Sequence, residues 1–266
     1  MRLVRRRGFS FYAGALAAFA ALLALVLPVP YVIESPGPTL DVLGKADDGR
    51  QVIAVEGAAT HGSKGRLLLV TVNAMGIPGS PVLGAETLVA WADPAQKALP
   101  SEAVFPTGQT REQYDQEANE EMSGSQSSAT DVALSFLSDH GVDVTGVKVT
   151  MDGGEIGGPS AGMMYALGTI DKLTEDDLTG GLTIAGTGTI DADGKVGAIG
   201  GIELKMKGAL RDGATWFLAP SDNCSEVVGN VPDGLRDVKV STLDEAYDAL
   251  TAIARGDGDS LPRCAA

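Results

Sequence analysis

The stretch "GGEIGGPSAGMMYALGTIDKL", residues 153–173, holds a single serine, Ser160, with Gly153, Gly154, Gly157, Gly158 and Gly162 around it and an apolar run behind it. The run has the composition of a buried helix. Glycine clusters mark turns, and Ser is a favoured helix N-cap because its hydroxyl accepts a hydrogen bond from a free N–H of the first turn. The same place suits a nucleophile, since those N–H groups and the helix dipole can stabilise an oxyanion. Both readings stand on this stretch alone. The choice depends on whether the chain supplies a base.

"GPSAG" (Gly158–Gly162) matches the G-x-S-x-G nucleophile elbow letter for letter, but that elbow belongs to a fold whose catalytic His follows the Ser. The two histidines here, His61 and His140, both precede Ser160. The remaining base for a serine is a lysine, which accepts a proton once it is desolvated and neutral. In the helical stretch "IELKMKGALRDG", at about 100° per residue, Glu203, Lys207 and Arg211 share one sector. Lys205 falls opposite, beside Ile202 and Ala209 at the edge of the apolar stripe. A lysine facing a core is unusual, because such residues are rarely buried without a partner. The ordinary alternative is a snorkelling stem with its ammonium in water.

Working outward, "GLTIAGTGTIDADGKVGAIGG" reads as strand, Asp193-Gly194 turn, strand. The strands "TWFLAP" and "LRDVKVST" follow, then a final helix, "LDEAYDALTAIARG", and a loose tail. Upstream, "QVIAVEGAA" and "GRLLLVTVNAM" read as strands. Residues 107–130 are polar and suit a solvated helix or a mobile flap, and "ATDVALSFLSDHG" suits an amphipathic helix ending at Gly141. Interleaved helices and strands make the body α/β or α+β.

The 266 residues carry a net charge of −15. Four of the 20 basic residues (Arg2, Arg5, Arg6, Arg7) lie before residue 30, which leaves 16 basic against 35 acidic residues in the rest, a net −19. So acidic a body is repelled by phosphate backbones, and nucleic acid is not an expected partner. "GTIDADGKV" has the wrong glycine spacing for a Walker loop and Val196 after its Lys, and "GTGTID" lacks the third glycine of a dinucleotide fingerprint, so no ATP or other cofactor site is legible. Cysteine and histidine spacing fits no metal site, and Cys224 and Cys264 could pair outside the cytoplasm.

"MRLVRRR" precedes 26 uncharged residues, Gly8 to Ile33. About 20 apolar residues span a bilayer as a helix. The arginines hold the N-terminus on the cytoplasmic side and place residues from about 31 onward outside. The absence of a small-x-small site after the apolar run favours an uncleaved anchor over a cleaved signal. Just beyond it, "ESPGPTL" (Glu34 to Leu40) loosely resembles the serine motif of bacterial signal peptidases. The strand that should carry their lysine, "RLLLVTVNAMGIPG", has none, so Ser35 reads as a turn residue between prolines.

Taken together, "GGPSAGMM" and "TIAGTGTIDADGKVGAIGGIELKMKGALRDGA" resemble the proteolytic domain of Lon-type serine proteases (peptidase family S16) over roughly residues 150–250. The anchor, "YVIESPGPTLDVLG" and "GRLLLVTV" are similar to bacterial membrane-anchored Lon-like proteases without an ATPase module. The resemblance implies an α+β Lon proteolytic fold behind one transmembrane helix. It implies a Ser-Lys dyad of Ser160 as nucleophile and Lys205 as general base, with Thr187 orienting the lysine and Gly157, Gly158 and Ala161 forming the substrate-backbone and oxyanion loop. Where many Lon proteases carry an acid three residues before the serine, this chain has Gly157. The PDZ domain usual in the anchored relatives has no room, since only "SDHGVDVTG" joins Leu137 to Val147.

The expected organisation is residues 1–30 as arginine cluster and anchor, 31–150 as the N-terminal part of the body, 151–254 as the catalytic core and 255–266 as the tail. The expected function is ATP-independent endoproteolysis of unfolded or extended polypeptides at the outer face of the cytoplasmic membrane, by a homo-oligomer that the resemblance implies is a six-membered ring. The rival is a catalytically silent ring that binds unfolded chains.

Overall fold

The computed structural model describes residues 8–46, 48–153 and 159–265. The first half of the chain forms α1 (Phe9–Val26), β1 (Pro28–Val29), β2 (Tyr31–Asp41), β3 (Ile53–Glu56), β4 (Arg66–Met75), β5 (Val82–Leu83), α2 (Gly84–Ala92), β6 (Lys97–Pro100) and α3 (Arg111–Asp139). The second half forms β7 (Lys148–Met151), α4 (Gly162–Leu173), β8 (Thr183–Gly186), β9 (Thr189–Ile190), β10 (Val196–Gly197), α5 (Ile202–Arg211), β11 (Trp216–Pro220), α6 (Cys224–Val227), β12 (Arg236–Val240) and α7 (Leu243–Arg255). Two compact units result, Met1–Ser35 with Ala74–Arg111, and Pro36–Asn73 with Glu112–Ala266. The body between residues 31 and 150, expected as one part, is therefore divided between them.

In the larger unit β12, β11, β8 and β4 are neighbours in that order, each parallel to the next, with β2 beside β4. Successive side chains of a strand point to opposite faces. Leu67, Leu69, Ile184, Trp216 and Leu218 pack with α3, α4 and α7, whereas Leu68, Val70, Ala185, Phe217 and Ala219 pack against Ile202, Met206 and Ala209 of α5. The sheet is thus covered on both sides, as parallel strands require, and α4 and α5 lie on opposite faces.

Helix α4 is the centre of the first face. Every residue from Gly162 to Asp171 is buried, and the one charged member of that run, Asp171, accepts hydrogen bonds from the Ser63 hydroxyl and the Leu178 N–H (2.9 Å). Burial pushes the Asp171 carboxyl above the ordinary carboxylate range.

Two expectations are corrected, and one left open between helix and flap is decided for helix. The polar stretch 107–130 and the amphipathic helix after it form one helix from Arg111 on, α3, whose buried residues Met122, Ser125, Ala129, Val132, Ala133, Phe136 and Leu137 recur at helical spacing. In the polar half the inward positions are Met122, Ser125 and Ala129, so one large apolar residue and two small ones carry a helical stripe that charged neighbours obscure. Ser35 lies in extended strand, not a turn. The prolines fit because the carbonyls of Pro36 and Gly37 accept from Arg211 (3.4 and 2.8 Å), and Gly37 is glycine because a Cβ would meet the Thr71 backbone at 2.7 Å.

The tail, expected to be loose, is tied down. The Lys239 N–H donates to the Pro262 carbonyl (2.8 Å), the Cys264 N–H donates to the Asp237 carboxylate (2.8 Å), and Cys264 forms a disulfide with Cys224 across a separation of 40 residues. The smaller unit is built around Ile33, Val82 and Ala90, with the start of β2 antiparallel to β6 and β1 antiparallel to β5. Its helix α1 is long and apolar enough to cross a membrane, with a mean hydropathy of 2.1 and none of it buried.

Closing a loop of this size restricts the unfolded chain by about 2–4 kcal/mol. Replacing Cys224 and Cys264 together by serine should lower the unfolding free energy by about that much in urea titrations. An unchanged midpoint would show that the clamp does not bear on stability.

Candidate active site

Strand β8 ends at Gly186, and Thr187 is the first residue beyond its carboxyl end. In parallel α/β sheets, ligand sites form in this crevice, where helix N-termini from both faces meet. Here α4 begins on one face and α5 on the other.

Ser160 lies in the single 3-10 turn Pro159–Ala161 that leads into α4. The N-cap residue of α4 is Ala161, buried and without a side-chain capping bond, so Ser160 is not used as the cap. The serine's main chain is held on two sides. Its carbonyl accepts from the Gly188 N–H (2.9 Å) and the Thr187 hydroxyl (3.1 Å), and the Met163 N–H closes the circuit onto the Gly188 carbonyl (3.1 Å). One residue earlier, the Pro159 carbonyl accepts from the hydroxyl of Ser125 (3.0 Å) on α3.

Lys205 comes from the opposite face. Helix α5 starts at Gly201, whose φ of 67° is left-handed and costs a glycine little. The Gly201 carbonyl accepts from the N–H groups of both Leu204 and Lys205 at 3.0 Å, which fixes the first turn. The approach to that turn is pinned by Asn223, 1% exposed, whose amide accepts from the Ile199 N–H (2.9 Å) and donates to the Ile199 carbonyl (2.8 Å). Glu203 and Lys207 are half-buried and Arg211 exposed, while Lys205 is 4% exposed, as the helical spacing required. Its Nζ donates to Thr187 Oγ1 at 3.3 Å.

A continuous chain therefore runs from Lys205 Nζ through the Thr187 hydroxyl to the carbonyl of Ser160. Ser160, Thr187, Lys205 and Ala161 converge. Gly157 and Gly158 lie outside the described residues. Ser125 and Asn223 belong to the support of the site but carried no sequence signal, one hidden in a polar run and the other in a loop. Among the described residues no group of His, Cys, Asp and Glu is placed to hold a metal ion.

The family signature of the Lon protease (S16) C-terminal proteolytic domain matches residues 71–254. The chain belongs to this family. It is 30% identical over 176 residues to the Lon protease of Xanthomonas oryzae pv. oryzae, covering 62% of this chain and 20% of that one. It is 37% identical over 94 residues to the Lon protease of Clostridioides difficile (34% and 12%) and 33% identical over 108 residues to Lon protease 2 of Bacillus subtilis (39% and 18%). It spans about a fifth or less of the length of these curated relatives. The match within the proteolytic domain supports a serine peptidase.

A buried amine that loses an acceptor costs about 1–3 kcal/mol. Thr187→Val should therefore lower thermal stability in calorimetry, and Thr187→Ser, which keeps the hydroxyl, should restore most of it. Equal stability of the two variants would mean that the Lys205–Thr187 bond does not contribute.

Proposed function

We propose that this protein is a serine endopeptidase working through a Ser160–Lys205 dyad, independent of ATP, and held at the outer face of the cytoplasmic membrane by α1. The observation that carries the reading is the burial of Lys205 with its Nζ on Thr187, which in turn donates to Ser160. Burial disfavours the charged form of a lysine, so the amine can act as a base. In the proposed cycle Lys205 takes the Ser160 proton, Ser160 Oγ attacks a peptide carbonyl, and the lysine returns the proton to the leaving amine. Water, deprotonated by Lys205 Nζ, then attacks the acyl carbonyl, and the lysine returns that proton to Ser160 Oγ as the ester bond breaks. Main-chain N–H groups at the head of α4, around Ala161, stabilise the oxyanion. Gly157 and Gly158 give the substrate backbone close approach.

The disulfide supports placement in an oxidising compartment, because such bonds persist outside the cytoplasm. The failed phosphate loops support work without a motor, on polypeptides that are already extended or unfolded. Lon-type domains form rings, and parallel anchors raise the local concentration of acidic bodies that would otherwise repel one another.

Casein cleavage tests the chemistry. Ser160→Ala should lose activity by roughly a thousand-fold or more, and Lys205→Arg should be nearly as inactive because guanidinium does not give up its proton. Wild-type activity should climb with pH along one basic limb, since only the neutral amine accepts a proton. Wild type and Ser160→Ala equally inert as assembled material would instead support a silent binding ring. Light scattering alongside the assay tests assembly and energy use. The detergent-solubilised protein should be an oligomer whose cleavage rate is unchanged by ATP and magnesium. A fully active monomer, or stimulation by ATP, would overturn this part.

A further inference from the structure

Helix α2 is built with its small residues inward and its large apolar residues outward. Gly84, Thr87 and Ala90 are buried at helical spacing, Ala90 in the core of the smaller unit and Gly84 against the end of α1. On the outer surface Leu88 is 51%, Val89 63% and Trp91 59% exposed. A globular helix with a polar environment shows the reverse pattern. The single charged residue of α2 is Glu86, and its carboxylate is turned back to accept the Leu83 N–H at the helix start (2.7 Å). The exposed face thus presents several large apolar side chains and no cation.

The start of this helix adjoins the apolar span. The Gly84 N–H donates to the Leu27 carbonyl just past the end of α1 (3.1 Å), and a Cβ at Gly84 would collide with the Ala24 carbonyl. The start of α2 therefore sits at the level where the apolar run of α1 ends. Trp91 lies edge-on to Tyr31, with ring centroids 5.5 Å apart. Paired aromatic rings with one polar edge are the side chains that settle at the boundary between acyl chains and headgroups.

We propose that α2 is an interfacial helix, with Leu88, Val89 and Trp91 inserted into the headgroup–acyl boundary of the leaflet from which α1 emerges. The inference rests on α1 spanning the membrane. It adds that the protein meets the bilayer through a second element, which fixes the smaller unit against the surface instead of leaving it on a single tether. A helix lying in the interface reaches only about 5–10 Å into the lipid, so bromines placed shallow in the acyl chains should reach Trp91 better than deep ones.

The test uses the full chain in liposomes of brominated phosphatidylcholine. Trp216 is buried in the larger unit, and the Trp91→Phe variant supplies its background. The emission that this variant removes should be quenched roughly two-fold more by shallow than by deep bromines, matching the interfacial depth. Val89→Asp should at least halve that quenching while the protein still floats with the vesicles after an alkaline wash. Flotation without quenching of Trp91 would overturn the interfacial helix and leave the anchor standing. A blue-shifted Trp91 untouched by bromines would mean that protein, such as a second copy, covers the face, and would likewise overturn it. Loss of flotation after the wash would remove the anchor and the inference with it.

Discussion

The hydrogen bond from Lys205 to Thr187 is the interaction on which the site depends. A lysine at 4% exposure needs a partner for its nitrogen, and Thr187 is available because the chain leaves β8 immediately before it. The same hydroxyl donates to the carbonyl of Ser160. One side chain at the end of a central strand thereby ties α5, on one face of the sheet, to the entrance of α4 on the other. The rest of the larger unit can be understood as holding those three points in register.

That support is mostly main-chain and small-polar. Gly188 and Met163 close a circuit around Ser160, Ser125 holds the preceding carbonyl from α3, and Asn223 fixes the loop that launches α5. None of these contacts is strong alone, since a neutral hydrogen bond contributes about 1 kcal/mol. Together they remove the rotational freedom that would let a half-buried serine and a buried lysine drift apart. The disulfide from Cys224 works at the same place in the chain, one residue beyond Asn223, and carries the C-terminal segment back across β12.

The smaller unit follows another rule. Its helix α2 turns Gly84, Thr87 and Ala90 inward, toward α1 and the core of the unit, which leaves Leu88, Val89 and Trp91 outside. In water such a face is unfavourable by roughly 25 cal/mol per Å². Beside α1, a helix long and apolar enough to cross a membrane, the proposed interfacial placement would remove that surface from water.

The sequence by itself determined where the candidate residues sit on their helices and the mixed helix-and-strand class of the fold. Helical spacing placed Lys205 on the inward face of α5, where it lies, and the glycine-flanked Ser160 at the head of an apolar helix, which is α4. These were legible because periodicity and glycine chemistry act over a few residues. What only the tertiary structure decided was everything that depends on partners distant in the chain. Ser35 is strand because Arg211 and Thr71 meet the backbone around Pro36 and Gly37. The polar stretch before Ala129, which the sequence left open between helix and flap, is helix because Met122 and Ser125 find a core to face. The tail is ordered because Asp237 and Cys224 lie beside it. Ser125 and Asn223 became visible only once the sheet had brought their carbonyl and amide partners within hydrogen-bonding reach, since local sequence carries no record of a contact made across 24 or 34 residues.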